Sequence, residues 1–115
     1  MSDKPPIERM KKRAAFLAAA KGAVATRGAV VVQVVDRADG RAAIGVGFTA
    51  TRRIGGAVVR NRAKRRLREA ARRLVPLHAK AGRDYVIIAR AGTARRPWAR
   101  LLDDLESALI SLAAT

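Results

Sequence analysis

The hydrophobic and polar positions divide the chain into segments with a helical or an extended period. Residues 7–21 follow two prolines and predict a first helix, because apolar residues recur there every three or four positions. Residues 29–36 are rich in valine and follow a glycine, which predicts a strand. The apolar stripe of the first helix would comprise Ile7, Met10, Ala14, Leu17 and Ala18.

Residues 42–50 predict a second strand whose two faces differ. Ile44, Val46 and Phe48 alternate with two glycines, Gly45 and Gly47. Glycines on one face of a strand indicate that another backbone or a ligand approaches it closely. The Asp-Gly pair at 39–40 is typical of a hairpin turn, and it predicts that this strand returns alongside the one before it.

The second half of the chain predicts a helix, a strand and a helix. Two glycines break the chain at 55–56, and a long helix is predicted from there to about Val75, where Pro76 ends it. Residues 84–90 suit a buried strand, and residues 97–114 predict a last helix. The order α-β-β-α-β-α indicates an α+β fold, and 115 residues are enough for one domain, 1–115.

Residues 11–25 share some features with a signal peptide, since a basic start precedes a short apolar run. Glu8 lies before that run and Lys21 interrupts it, so we interpret the segment as a helix of the mature protein. No stretch approaches the roughly 20 apolar residues that span a bilayer. The sequence therefore predicts no membrane partner.

The charge of the chain narrows the class of partner. The formal net charge is +16, and self-repulsion of that size is typical of proteins whose partner is a polyanion, most often nucleic acid. The chain has no cysteine, which excludes a disulfide framework and a thiolate metal site. Such a composition fits the reducing cytoplasm, which is the predicted location.

The long helix has an apolar arc and a basic remainder when its residues are placed at about 100° per residue. Glu69 is its one acid and relieves only part of the repulsion. Mixed charges usually mark a solvated face, but a face of nearly one sign favours an anionic partner. The arc contains Val59, Ala63, Leu67, Ala70, Ala71 and Leu74. The basic residues are Lys64, Arg65, Arg66, Arg68, Arg72 and Arg73.

Arg60 differs from the other arginines because it projects toward the apolar arc. A guanidinium at that border stays partly covered while its planar fork binds a phosphate. Asn61 adds a neutral donor and acceptor beside it, in the first turn of the helix, where unpaired N–H groups already favour an anion. With Arg52 and Arg53 just upstream, these residues predict a phosphate-binding corner.

Phe16 marks a second candidate site on the first helix. It lies opposite the apolar stripe and shares its face with Arg9, Lys12 and Arg13. An aromatic ring among cations suits single-stranded nucleic acid, because the ring stacks on a base and the cations bind phosphates. The alternative is that Phe16 packs under a neighbouring segment of the chain.

The sequence contains no arrangement typical of a catalytic protein. His78 is predicted to be a surface residue, and the acids Asp103, Asp104 and Glu106 are predicted on the outer side of the last helix. Trp98 is predicted to anchor that helix by packing. No nucleophile is paired with a base, so we predict no catalytic residue and no metal site in the protein.

The chain closely resembles the bacterial ribonuclease P protein component over residues 45–74, GVGFTATRRIGGAVVRNRAKRRLREAARRL. Arg60-Asn61-Arg62 matches the Arg-Asn-Arg motif of that family, and the flanks 9–16 and 84–92 agree as well. The resemblance implies an α-β-β-(β)-α-β-α sandwich of the ribosomal protein S5 domain 2 type. It further implies a mixed four-stranded sheet and a left-handed βαβ crossover, although crossovers are generally right-handed.

The resemblance also implies a function. The family supplies the protein subunit of an endoribonuclease that removes the 5′ leader of precursor tRNA, while an RNA subunit carries the chemistry with Mg²⁺ held mainly by the RNA. The implied partners are ribonuclease P RNA and precursor tRNA, with no obligate protein partner. The implied RNA-binding positions are Arg52, Arg53, Arg60, Asn61, Arg62, Lys64, Arg65, Arg66 and Arg68. The implied leader-binding positions are Phe16, Arg9, Lys12 and Arg13.

Three departures and three rival functions accompany this resemblance. Ala20 stands where family members often have a second aromatic, which weakens the expected leader stacking, and Gly56 and Thr51 replace a common asparagine and serine. The main rival is a ribosomal or other structural RNA-binding protein of similar fold. A DNA-binding module would use Asn61 and Arg62 to read bases. A membrane-surface helix is the third, but the apolar arc lacks bulky aromatic anchors.

Overall fold

The computed structural model describes residues 4–115, and in this part of the chain helices cover both faces of one mixed sheet. The α+β class predicted from the sequence is therefore confirmed. The strands are β1 (Ile7–Arg9), β2 (Ala23–Arg27), β3 (Val30–Asp36), β4 (Ile44–Thr49) and β5 (Arg83–Ala89). The helices are α1 (Arg13–Ala20), α2 (Ala57–His78) and α3 (Trp98–Ala113), with a 3₁₀ turn at Arg52–Ile54.

The described sheet has five strands in the order β1-β4-β5-β3-β2. β3 pairs antiparallel with β2 and β5, whereas β4 is parallel to both β5 and β1. The long helix α2 joins the parallel neighbours β4 and β5, so these three elements form a βαβ unit. The implied sheet of four strands is thus extended by β1 at its edge, and the left-handed crossover stays a prediction.

The prediction of a helix over residues 7–21 is wrong in its first half. Residues 7–9 form β1, and α1 begins only at Arg13. The two prolines at 5–6 favour extended backbone, and the segment then pairs with β4: Ile44 N–H donates to Pro6 O at 2.8 Å, and Met10 N–H donates to Val46 O at 2.9 Å.

The predicted apolar stripe of this helix is also wrong. Ala14, Leu17 and Ala18 are exposed, whereas Ala19 is buried and Phe16 is half-buried. A helix of eight residues composed mostly of alanine carries little periodic signal, so its largest ring decides which side faces the sheet.

The hairpin predicted at the Asp-Gly pair is wrong, because β5 lies between β3 and β4. The turn itself exists: Ala38 has a φ of 53° and Gly40 a φ of 75°. It passes over the start of β5, where Arg37 N–H donates to Gly82 O and Gly82 N–H donates to Ala42 O, each at 3.0 Å. A turn sequence specifies the local bend, but it does not specify which strand takes the next place in the sheet.

The true hairpin of this region joins β2 and β3 through Gly28 and Ala29. Arg27 pairs with Val30 across that loop, and Gly28 has a φ of 49°. A Cβ at Gly28 would lie 2.3 Å from an oxygen of Asp104 in α3, so both the conformation and the close approach require glycine here. The residue pattern does not predict β2, because its sequence, Ala-Val-Ala-Thr-Arg, contains only one large apolar side chain.

The hydrophobic core lies between the sheet and the pair α2 and α3. Alternate residues of β5 show the two faces: Tyr85 and Ile87 belong to this core, and α1 contacts β3 and β5 from the opposite face. α2 continues through Pro76 to His78 instead of ending at Val75. Its last turn is held because Leu74 and Val75 are buried and Ala79 N–H donates to Val75 O at 3.0 Å.

None of the helices in residues 4–115 combines the length and the apolar character needed to cross a membrane.

Candidate nucleic-acid interface

The apolar arc of α2 is buried as its spacing predicts. Ala63, Leu67 and Ala70 are fully covered, and Leu74 is nearly so. Val59 is the exception at 37% exposed, and it packs over Gly55 at the entrance to the helix. Burial of this arc fixes the rotation of α2, so most of the basic residues between the buried positions lie on its outer side.

Arg60 lies at the border between the core and the basic face. The residue is half-buried, and its Nε atom is buried without a hydrogen-bond partner. Buried donors in folded proteins are almost always satisfied, so this unpaired guanidinium nitrogen is a donor that a ligand can satisfy once the side chain moves outward. Its neighbours Asn61 and Arg62 are exposed. The predicted partial cover of Arg60 is therefore observed.

The entrance to α2 adds further positive charge. Arg52 and Arg53 are exposed in the 3₁₀ turn that precedes the helix. Gly56 is the N-cap residue, no side chain caps the helix, and its first turn contains no acidic residue. The free N–H groups and the positive end of the helix dipole consequently remain available to an anion.

The three basic residues that follow Ala63 in α2 differ in their exposure. Arg65 is exposed and Lys64 is half-buried on the outer side. Arg66 turns back into the protein, where it donates to Thr93 O at 2.6 Å and to Arg96 O. Burial, assisted by the charge of Arg62, lowers the pKa of the Arg66 guanidinium below its ordinary value. Arg66 thus has a structural role in addition to any contact with RNA.

Phe16 packs on β4 through the glycine face of that strand. A Cβ at Gly47 would lie 2.6 Å from the Phe16 ring, and Met10 lies beside it over Gly45 and Gly47. A close approach to the two glycines is observed, but side chains of this chain make it, so the predicted backbone or ligand is not what the glycines accommodate. Phe16 remains half-buried, so part of it is accessible on the sheet face that α1 occupies. Lys12 and Arg13 are exposed one turn before it.

Arg9 does not share the Phe16 face, so that prediction is wrong. It lies in β1 in register with Val46, and it lines a groove of about 380 Å³ with Phe48 and Arg68 on the α2 side of the sheet. The helix predicted over residues 7–21 implies that shared face, but residue 9 belongs to a strand. Arg68 is half-buried at this groove.

This arrangement can be compared with known proteins. A family model for Ribonuclease P matches residues 5–113. The chain belongs to the ribonuclease P protein family. The ribonuclease P protein component of Caulobacter vibrioides is 63% identical over 108 residues, which cover 94% of this chain and 72% of that relative. The one from Ruegeria pomeroyi is 49% identical over 108 residues, covering 92% of this chain and 86% of the relative.

Solved structures of ribonuclease P proteins have the same fold. The protein of Staphylococcus aureus superposes with a TM-score of 0.75 at 27% identity, covering 90% of this chain and 94% of that one. The protein of Thermotoga maritima also gives 0.75 at 27% identity, with 90% and 96% covered. The family predicted from the Arg60-Asn61-Arg62 motif is confirmed.

Two acids of α3, Asp104 and Glu106, serve the structure of the protein. Asp104 is 9% exposed, accepts from Ala29 N–H at 3.0 Å and from Arg96 Nε at 2.9 Å, and its prediction as an outer, solubilising residue is wrong. His78 and Glu106 form a pair at 2.9 Å between α2 and α3. In α3, Asp104 follows Leu101 by three positions and precedes Leu105 by one, so helical spacing places all three residues on the same face. This spacing is the sequence signal from which the burial of Asp104 could be predicted.

Metal ligands are scarce in the part of this ribonuclease P protein that the structure describes. Over residues 4–115, no group of three or more His, Cys, Asp or Glu side chains gathers in a way that suits a metal ion. Carboxylates and carbonyls are the ligands that Mg²⁺ prefers, and the carboxylates described above are engaged by arginines or histidine.

Proposed function

We propose that the protein binds the RNA subunit of ribonuclease P through the start of α2 and the 3₁₀ turn before it. The buried, unpartnered Nε of Arg60 carries this proposal. A phosphate bound by the Arg60 guanidinium, with its side chain moved outward, would satisfy that donor, and the uncapped N–H groups at the helix entrance favour an anion in the same region. The surrounding contacts come from Arg52, Arg53, Asn61, Arg62, Lys64 and Arg65.

The leader of precursor tRNA is proposed to bind on the opposite face of the sheet. The ring of Phe16 offers a stacking surface beside Lys12 and Arg13, and it is held in place because Gly47 leaves room for it. α1 and α2 lie on different faces, so one molecule is able to contact a catalytic RNA with one side and a substrate with the other. Arg9 and Arg68 line the groove on the α2 side of the sheet, so they are not part of the proposed leader site.

The protein is proposed to assist removal of the 5′ leader without carrying out the hydrolysis. Mg²⁺ supplies that chemistry when it is bound to the RNA, and the side chains described here bind, orient and neutralise the RNA phosphates. Endonucleolytic cleavage then yields the mature 5′ end of tRNA. We place this activity in the cytoplasm, where tRNA is made, in agreement with a chain that lacks cysteine.

Competition binding tests this function against its rivals. The labelled ribonuclease P RNA of Caulobacter vibrioides is bound to the protein at moderate salt and challenged with duplex DNA or with a ribosomal RNA fragment of equal length. We expect that only a large excess of either competitor will displace the labelled RNA, because phosphate contacts alone give only weak, sequence-independent affinity. Equal competition by duplex DNA favours a DNA-binding module, and equal competition by ribosomal RNA favours a ribosomal protein.

Replacement of Phe16 tests the leader site. Phe16→Ala is expected to weaken binding of the holoenzyme to precursor tRNA, but not to mature tRNA, by roughly 1–3 kcal/mol if one base stacks on the ring. The measurement is the ratio of the two dissociation constants. Leu17→Ala is the matched control, since Leu17 is the next residue of α1, about 100° further round the helix, and its side chain is exposed. Equal losses for the two tRNAs rule out a leader contact.

A further inference from the structure

A second basic groove lies between α2 and the first residue of α3, away from Arg60. It has a volume of about 620 Å³ and is shallow and open. One large aromatic ring, that of Trp98, lines the groove, and this is the only tryptophan of the chain. The lining residues are Arg62, Arg65, Arg66, Glu69, Arg73 and Trp98.

Two guanidinium groups lie over the Trp98 ring. The Cζ atom of Arg66 is 5.8 Å from the ring centroid, and that of Arg73 is 5.5 Å from it. Both distances are within the range of a cation–π interaction. Residues seven positions apart in a helix are two turns and about 10.5 Å apart along its axis, so the two arginines reach the indole from different turns of α2.

The two arginines differ in how firmly they are held. Arg66 is fixed by the carbonyl oxygens of Thr93 and Arg96. The Arg73 side chain is 57% exposed, and its nearest acid, Glu69, lies 3.8 Å away. Arg73 is consequently able to move from the indole at little cost, which opens one side of the ring.

The groove also carries little negative charge. Four arginines face a single carboxylate, and Glu69 already accepts a hydrogen bond from Arg72 at 2.5 Å. A residue that only anchors a helix needs apolar neighbours, and Trp98 has these through its contact with the core. The concentration of cations around its exposed part is not explained by packing, whereas an aromatic ring beside arginines is the usual composition of a site for an unpaired nucleotide.

We propose that an unpaired nucleotide of the ribonuclease P RNA binds in this groove. Its base stacks on the side of Trp98 that Arg73 vacates, and Arg73 and Arg65 bind its phosphate. The inference rests on the proposed function, because it assumes that the RNA lies along α2. It extends the interface from the entrance of that helix to the start of α3, and it gives Trp98 a role in recognition in addition to packing.

The fluorescence of Trp98 tests this site directly in the unmodified protein. Titration with the Caulobacter vibrioides ribonuclease P RNA is expected to quench the emission and to protect the indole from acrylamide, with the same midpoint as binding followed by electrophoretic shift. Tight binding by electrophoretic shift without any change in emission or in acrylamide quenching overturns the site and leaves the proposed function intact. If the RNA does not bind at all, the proposed function fails, and this site fails with it.

Variants of Trp98 supply the second measurement. Trp98→Leu is expected to weaken RNA binding about tenfold, within the roughly 5- to 150-fold range that stacking of one base represents, whereas Trp98→Phe keeps a ring and retains most of the affinity. Ile110→Ala is the control, because Ile110 is an exposed apolar residue of the same helix. Thermal melting verifies that each variant is folded at the assay temperature. Equal affinity of the folded Leu and Phe variants overturns the stacking role.

Discussion

Arg60→Ala is expected to weaken binding of the protein to ribonuclease P RNA by about 1.5–3 kcal/mol, roughly 10- to 150-fold, because a charge-assisted contact to phosphate is lost. The dependence of log affinity on log salt should also flatten by about one unit. Folding should change little, since the Nε of Arg60 has no partner within the protein and its removal leaves nothing else unpaired. Affinity measured at several salt concentrations, together with a thermal melt, checks both parts.

Two further variants separate the charge of Arg60 from its shape. Arg60→Lys keeps the charge and should keep the salt slope, but it lacks the planar fork and should bind less tightly than the natural protein. Arg100→Ala removes one exposed arginine from α3 and should have a much smaller effect on affinity. If Arg60→Ala and Arg100→Ala lose affinity equally, Arg60 contributes only general charge and the proposed corner is wrong.

Asp104→Ala is expected to lower the free energy of unfolding by about 3 kcal/mol. Its carboxylate accepts from the Ala29 amide at 3.0 Å and from Arg96 Nε at 2.9 Å, and both donors lose their partner in the variant. Removing one member of a buried pair costs about 3–5 kcal/mol, and the low end applies because Arg96 is about one-third exposed. Chemical denaturation gives the measurement.

Asp103→Ala is the matched control for this loss, since Asp103 is the preceding residue of α3 and is exposed. With 25 basic residues against 9 acids, removing any acid raises the net charge by one, and the control isolates that effect. Gly28→Ala tests the same contact from the other side, because a Cβ there collides with the Asp104 carboxylate. A loss below about 1 kcal/mol for Asp104→Ala would mean that the carboxylate does not hold the β2–β3 hairpin to α3.

The sequence predicted long, strongly periodic elements well and short ones poorly. α2 and α3 were recognisable because large apolar residues recur on one face over several turns. The sequence predicts a helical turn where β1 lies, because three residues are too few to show a period. Only their pairing with β4 makes these residues a strand. The place of β5 between β3 and β4 depends on contacts between distant residues, which a local turn signal such as Asp39-Gly40 does not encode.

The candidate site shows the same division. The border position of Arg60 followed from the helical wheel and is observed, because α2 is regular from its first turn onward. The groove around Trp98 was missed, since it joins α2 to α3 and no spacing within one helix reveals it. The predicted face of Arg9 is wrong because Arg9 belongs to β1 and not to the first helix.

Cleavage of precursor tRNA at low Mg²⁺ tests the central claim most directly. The Caulobacter vibrioides ribonuclease P RNA is assayed alone and with this protein, at a Mg²⁺ concentration where RNA phosphates are poorly neutralised, and the protein is also assayed without the RNA. The account predicts little cleavage by the RNA alone, several-fold faster cleavage when the protein is added, and none by the protein. No acceleration by the protein, or cleavage of the precursor without the RNA, would contradict it.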